Sequence, residues 1–334
     1  MKKVLFATTA LVMTAGVAAA EVAISGDGRM GVIYDGDDVQ FASRARVKFT
    51  LTGESDAGLS FGGEFRVDQE DWNNSYRSAA RGERGAVWIS GTYGKLSMGD
   101  VVSASEAAIG DLYEIGYTDG AVAGDPEEIS YLVGDGANRD QGPTILYEYT
   151  VNQISFYASA TDGVDTSVYD VTTGANSYNP ITGSPDSDAL SDHVAYSLAA
   201  KYDAGNWWAA LGYAKHDDMS EISLGGEAKF NNFSVKGVFV KYDDVFVGTG
   251  AEFDSTIGLS AAYQADALTV KGFFRQDKVD VYGASDIKPR AIGIGADYDL
   301  GGGAVLAGGI INVDSDVAGV DDDTYADVGV KFKF

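Results

Sequence analysis

The chain has 334 residues, a formal net charge of −26 and no cysteine. So acidic a chain is excluded from the nucleic-acid binders, whose phosphate partners need a basic surface, and its fold must hold without disulfides. Two histidines leave few imidazoles for catalysis or metal ligation, while 43 glycines and 19 tyrosines point to a β-rich chain.

The first predicted element is a leader. MKKVLFATTALVMTAGVAAA sets Lys2 and Lys3 before an apolar stretch and ends on Ala18-Ala19-Ala20, an A-x-A cleavage form. That is a signal peptide over residues 1–20 rather than a transmembrane anchor. Its removal takes away two lysines and no acids, so residues 21–334, read as one domain, carry −28. Past the leader no apolar run approaches the ~20 residues that a membrane-spanning helix needs.

From Glu21 onward the chain repeats about ten residues of alternation followed by a turn or loop. In the first stretch Val22, Ile24, Met30, Val32 and Tyr34 share one face, and Ser25, Asp27, Arg29 and Gly31 the other. In the second, Arg44, Arg46 and Lys48 alternate with Ala45, Val47, Phe49 and Leu51, a ladder of cations behind a face of hydrocarbon. The third sets Leu59, Phe61, Phe65 and Val67 against Ser60, Glu64, Arg66 and Asp68. HVAYSLAAKY, WWAALGY, ISLGGEAKF, FSVKGVFVKY, TIGLSAAYQ, LTVKGFFRQ, RAIGIGADYDL, AVLAGGII and ADVGVKFKF continue the pattern.

Connectors alternate between short ones, such as 203–206, 231–232 and 264–267, and long ones rich in Asp, Gly and Ser at 68–83, 100–142, 161–191, 243–254, 277–288 and 312–323. That is a meander with two unequal ends, and sixteen strands are predicted. All five prolines fall in loops or at strand starts, where no ladder bond is lost. A soluble sandwich also alternates. Three features favour a closed transmembrane β-barrel instead: an apolar face on every strand, strand lengths near the ~10 residues that cross a bilayer when tilted, and aromatics such as Tyr202, Trp207, Phe230 and Phe233 beside the short turns. Closure also leaves no sheet edge exposed.

Five stretches, EVAISGDGRMGVIYDG (21–36), GKLSMGD (94–100), SEAAIGDLYEIGYTDG (105–120), YDLGGGA (298–304) and the tail ADVGVKFKF (326–334), carry a resemblance. With them the sequence resembles the general diffusion porins of the bacterial outer membrane, of the alphaproteobacterial, Rhodobacter-like type, over 21–334. The resemblance implies an all-β, sixteen-stranded antiparallel barrel, a homotrimer, and a long third loop folded into the lumen. It departs from the enterobacterial porins, whose inserted loop bears a Pro-Glu-Phe-Gly-Gly signature where this chain reads SASEAAIGDLYE.

In such a barrel the apolar face meets lipid and the polar face lines the lumen. The resemblance then implies a basic constriction wall of Arg29, Arg44, Arg46, Lys48, Arg66 and Arg84. It implies an acidic inserted loop over 103–142 that presents Glu106, Asp111, Glu114 and Asp119. Opposed charges across a narrow opening make a transverse field that polar solutes tolerate and apolar ones do not.

Other signals weigh less. Gly26-x-Gly28-x-x-Gly31 matches a dinucleotide fingerprint but lies in a strand with no helix after it. His193 has no G-x-S-x-G partner, and His216 sits among acids in a short connector, where it is expected to be solvated. DSDVAGVDDD (314–323) places Asp314 and Asp316 as a candidate divalent-cation site, Ca2+ or another, although Ala318 and Tyr325 stand where an EF-hand needs ligands. No cofactor is required.

The reading is a non-enzymatic outer-membrane channel for passive diffusion of small hydrophilic solutes and ions, with membrane lipid and lipopolysaccharide as its surroundings. The alternatives are a substrate-specific channel for a sugar or organic anion, a barrel enzyme, or an adhesin. A specific channel needs an aromatic track, for which Trp88, Tyr157 and Trp208 fall on the predicted lumenal face.

Overall fold

The computed structural model describes residues 21–70, 83–132, 144–161, 169–170, 175–176, 194–216, 218–246 and 250–334. The predicted leader, His193 and the far end of the acidic loop lie outside these residues.

The alternation becomes strands. In chain order they are β1 (Glu21–Tyr34), β2 (Val39–Glu54), β3 (Ser60–Glu70), β4 (Glu83–Gly91), β5 (Gly94–Gly99), β6 (Thr144–Val151) and β7 (Ile154–Thr161). A two-stranded ribbon of β8 (Tyr169–Asp170) and β9 (Ala175–Asn176) follows. Next come β10 (Tyr196–Asp203), β11 (Trp207–His216), β12 (Met219–Phe230), β13 (Phe233–Phe246), β14 (Ala251–Ala265) and β15 (Leu268–Val281). The last three are β16 (Arg290–Gly301), β17 (Ala304–Asp314) and β18 (Asp323–Lys333). All except β8 and β9 form one closed antiparallel barrel of sixteen strands. Each pairs with its neighbour in sequence, the ribbon between β7 and β10 being skipped, and β18 returns to β1. The seam is finished by two backbone bonds between Gly26 and Phe334, at 2.8 and 3.0 Å.

The barrel is apolar outside and polar inside. Outward Phe41 is 88% exposed and Ile24 67%, whereas inward Ser197, Ser223 and Thr256 are fully buried. Such surface is stable only against hydrocarbon. At the short-turn end Tyr202 stacks near Trp207 (5.3 Å between centroids) and Phe233 near Tyr263 (4.5 Å), in the girdle expected there. Asn152, Asn231 and Asp266 take positive φ in these tight hairpins, a conformation Asn and Asp tolerate best after glycine.

Two expectations are corrected. Strands run further into the long connectors than the alternation suggests: β13 reaches Phe246, β15 Val281 and β17 Asp314. There the outward face turns polar while buried Val245 and Val279 stay apolar, so the period fades, and ion pairs such as Lys278–Asp280 (2.7 Å) and Lys278–Asp286 (3.4 Å) keep the ladder ordered. His216 is not solvated. It ends β11 and is 6% exposed, since its place as the last paired residue of the strand keeps it within the wall.

Candidate pore constriction

The connector after β5 does not stand out from the barrel. It turns inward and lies along the lumenal wall. Ser103 starts it as the N-cap of a short helix, α1 (Ala104–Ile109), accepting a bond from the Glu106 amide. The helix start is tied to the wall because Ser159 on β7 and Ser197 on β10 accept the Ala104 and Ser105 amides at 2.9 and 3.0 Å. Beyond α1 the chain runs without regular structure to Ile115, then turns through residues 116–120 into a 3-10 helix at Ala121–Ala123. Ile109, Leu112 and Ile115 are almost fully buried against inward Val238, Phe273 and Ile311. Burial of each contributes about 1.5–3 kcal/mol, which keeps an otherwise polar loop on the wall.

Polar clamps fix the rest. Asp327 on β18 accepts from the Tyr117 amide (3.2 Å), the Thr118 amide (2.8 Å) and the Thr118 hydroxyl (2.6 Å). Lys331 donates to the Gly116 carbonyl (3.2 Å) and pairs with Asp119 (2.7 Å). Arg29, 4% exposed, donates to the Thr118 carbonyl and lies 3.6 Å from Asp119. On the opposite side Lys236 donates to the Asp111 carbonyl, and Arg275 to the Glu128 carbonyl and the Ser130 hydroxyl. Glu221 accepts the Leu132 amide.

The predicted site residues therefore divide. Arg44, Arg46, Lys48 and Arg66 point into the lumen, but each pairs with a carboxylate of the same wall. Arg44 meets Asp27 (3.4 Å), Arg46 and Arg66 share Asp68 (3.1 and 2.8 Å), and Lys48 meets Glu64 (2.6 Å). Arg29 is a loop clamp as well as a wall cation. Arg84 lies on β4, and its side chain is outside the described placement. Of the loop acids, Glu114 is exposed and makes no ion pair among the described residues, while Asp119 is held by Lys331 and Arg29. Glu106 lies half-buried in the first turn of α1. Asp111 braces the loop from within by accepting the Ile129 amide (2.7 Å). A cavity of about 590 Å³ joins Arg44 and Arg46 to Glu114, Asp119 and Lys331; neither Glu106 nor Asp111 lines it.

Sequence reading missed Lys331, Asp327, Lys236 and Arg275. Their lumenal orientation follows from alternation, but their partner is a loop more than a hundred residues away. One signal marks the seat: Val238 and Val240 put hydrocarbon on the lumenal face of β13, where channel water alone would not stabilise it. Trp208 donates to Glu227 (2.9 Å), which also accepts from the Tyr113 hydroxyl (2.9 Å), so it braces the loop. The candidate cation site is also committed elsewhere. Asp314 pairs with Arg290 (2.8 Å) and Asp316 accepts the Lys288 amide (2.7 Å). Among the described residues no group of three or more His, Asp or Glu is placed to hold a metal.

One buried loop acid titrates unusually. Glu127 is 2% exposed, and burial, the largest cause, pushes its pKa up to about 9. The docked state therefore binds the proton more tightly than the undocked one. Its stabilisation is complete below the ordinary value of 4.5 and is lost as pH rises through about 9. We expect the amide protection of residues 111–132, corrected for the intrinsic exchange rate, to fall as pH rises from 4.5 towards about 9 and to level off above it, and Glu127→Gln to remove that alkaline limb. An alkaline limb unchanged in Glu127→Gln would assign it to another group.

Comparison with known proteins agrees with this architecture. The profile of the Gram-negative porin family matches residues 7–318. The chain belongs to the Gram-negative porins. A porin from Rhodobacter capsulatus is 37% identical over 336 residues, spanning 94% of this chain and all of the relative. A porin from Fuscovulum blasticum is 27% identical with the same coverage. A refined porin crystal structure superposes with a TM-score of 0.73 at 36% identity, covering 94% of this chain and all of its own. An engineered porin of Rh. blastica shares the fold, with a TM-score of 0.65 at 23% identity. This porin is thus a multi-pass β-barrel of the Gram-negative outer membrane and a general diffusion channel, and its relatives are channel proteins.

Proposed function

We propose that this porin filters small hydrophilic solutes and ions by size and by a transverse field. The field runs between Arg44, Arg46, Lys48 and Arg66 on the wall and Glu114 and Asp119 on the inserted loop. The supporting observation is the shared cavity that brings Arg44 and Arg46 opposite Glu114 and Asp119. Water in that cavity is ordered by fixed charges on both sides, so a solute with a dipole or a hydration shell keeps its interactions, while an apolar one is desolvated without compensation. Asp27, Glu64 and Asp68 neutralise much of the wall, and Glu114 is left over. The balance favours cations mildly.

We propose further that residues 1–20 are removed on export and that three barrels assemble side by side. The leader pattern and the wide apolar outer face support this, as does the family resemblance. Outer-membrane lipid and lipopolysaccharide would cover what the neighbouring barrels do not.

Single-channel recording of the mature protein in a planar bilayer tests the reading. Steps grouped in threes, roughly proportional to salt, are expected, with a reversal potential of mild cation preference in a salt gradient. A folded barrel without conductance steps would sink the diffusion reading, and steps that are always single would sink the trimer.

A further inference from the structure

From the end of α1 to Tyr117 the inserted loop seats its apolar side chains over wall glycines. A Cβ at Gly258 on β14 would stand 2.9 Å from both Leu112 methyl carbons, which are the nearest atoms to it. All three atoms nearest to a Cβ at Gly225 on β12 belong to Ile109. A Cβ at Gly295 on β16 would stand 2.8 Å from Ile115. At Gly329 on β18 it would lie 2.7 Å from the Tyr117 ring. We propose that these glycines are the positioning residues of the inserted loop. They set how far it projects into the channel, and thereby the size limit. The inference rests on the reading that this loop narrows the pore.

The spacing supports a register rather than a chance of composition. The seats fall on β12, β14, β16 and β18, and Ile115 also covers β17, where a Cβ at Gly309 would stand 2.3 Å from it. Two strand spacings are about 9.6 Å, and three residues of extended chain reach about 10 Å. Ile109, Leu112 and Ile115 are three residues apart, so a loop running around the wall delivers one apolar side chain per two strands. Each glycine removes the wall side chain where the loop needs depth. Gly237 on β13 faces outward between inward Lys236 and Val238, so a Cβ there meets nothing closer than a carbonyl at 4.0 Å and touches no part of the loop.

The test is the conductance of Gly258→Ala and Gly225→Ala, with Gly237→Ala as control and heat-modified electrophoresis to confirm folding. Ordinary carbon contacts lie near 3.5–4.0 Å, so the new methyl at 258 lifts the loop inward by about 1 Å. For an aperture on the order of 10 Å that removes roughly a fifth of the conductance, with a larger loss in the permeation rate of oligosaccharides near the size limit. Gly237→Ala conducts like the parent. The decisive variants are Gly258→Ala with Leu112→Ala and Gly225→Ala with Ile109→Ala, which return the removed volume and are expected to recover conductance. Loss without recovery in both pairs would overturn the proposal, because strand distortion would then be the cause. Glu114→Gln, which changes charge without moving the loop, reads the underlying constriction separately. Parental conductance in the glycine variants with a reversal potential shifted by Glu114→Gln sinks the glycine seat alone. Parental conductance with an unmoved potential sinks both.

Discussion

Replacing Asp327 by alanine is expected to unfasten the inserted loop while leaving the barrel closed. The carboxylate is 8% exposed and accepts three bonds from Tyr117 and Thr118. Removing it strands two amides and a hydroxyl where water is scarce. Each unsatisfied donor costs about 1–3 kcal/mol, and because they share one acceptor the losses add only partly, to roughly 3–5 kcal/mol of docking free energy. The positive φ of Gly116 (82°) brings the backbone so close to Asp327 that a larger residue at 116 would strike its carboxylate. Lys331 and Arg29 still hold carbonyls on the same segment, so the loop swings on its remaining clamps rather than leaving the lumen. Open-channel noise and mean conductance rise, and larger oligosaccharides enter proteoliposomes in swelling assays. Asp327→Asn keeps one acceptor oxygen and is expected to be intermediate. The ladder of β18 with β17 and β1 uses backbone groups alone, so heat-modified electrophoresis should show a folded barrel. A folded Asp327→Ala barrel with the parental size limit would remove Asp327 from the fastening.

The asymmetry between barrel and loop explains what the sequence discloses. Strand faces repeat every second residue, and lipid forces hydrocarbon onto one of them without exception. Arg44, Arg46 and Lys48 could therefore be placed in the lumen from their spacing alone. Closure is legible in the apolar face that every strand carries, because an open sheet would leave unpaired edges in lipid. The inserted loop has no such period. Glu106, Asp111, Glu114 and Asp119 look equivalent as letters, yet Asp111 braces the loop, Asp119 is clamped and Glu114 faces the channel. What separates them is contact: Lys331 and Arg29, far along the chain, hold the Asp119 carboxylate, and the Ile129 amide holds that of Asp111. Glycines 225, 258 and 295 were legible as glycines. Only the loop lying over them gives them a task. The wall acids Asp27, Glu64 and Asp68 were visible on the lumenal faces of their strands, but that they neutralise the cation ladder depends on cross-strand register.

The largest change in ion preference is expected from Arg44→Ala combined with Arg46→Ala. Both guanidinium groups line the cavity that Glu114 and Asp119 share, together with Asp27. Their removal takes two positive charges from one side of the opening. Asp27 loses its Arg44 partner, whereas Asp68 keeps Arg66. A permeating ion about 6 Å from one such charge feels about 0.7 kcal/mol in bulk water, and more where the low-dielectric wall confines the field. Two charges then amount to roughly 1–2 kcal/mol after partial screening, or a rise of about fivefold to thirtyfold in cation-over-anion permeability. Salt supplies the signature. The Debye length falls from about 10 Å at 0.1 M to about 3 Å at 1 M, so the difference from the parent should shrink with concentration. Glu114→Gln should move the reversal potential the opposite way. Lys229→Ala, at a lysine with a 61% exposed side chain beside Glu227, should leave it in place. The double variant removes charge and side-chain volume together, so conductance rises even as anions are disfavoured. Narrowing of the pore could not produce that pair of changes. A reversal potential at 0.1 M salt that stays at the parental value would place the selecting charges elsewhere in the channel.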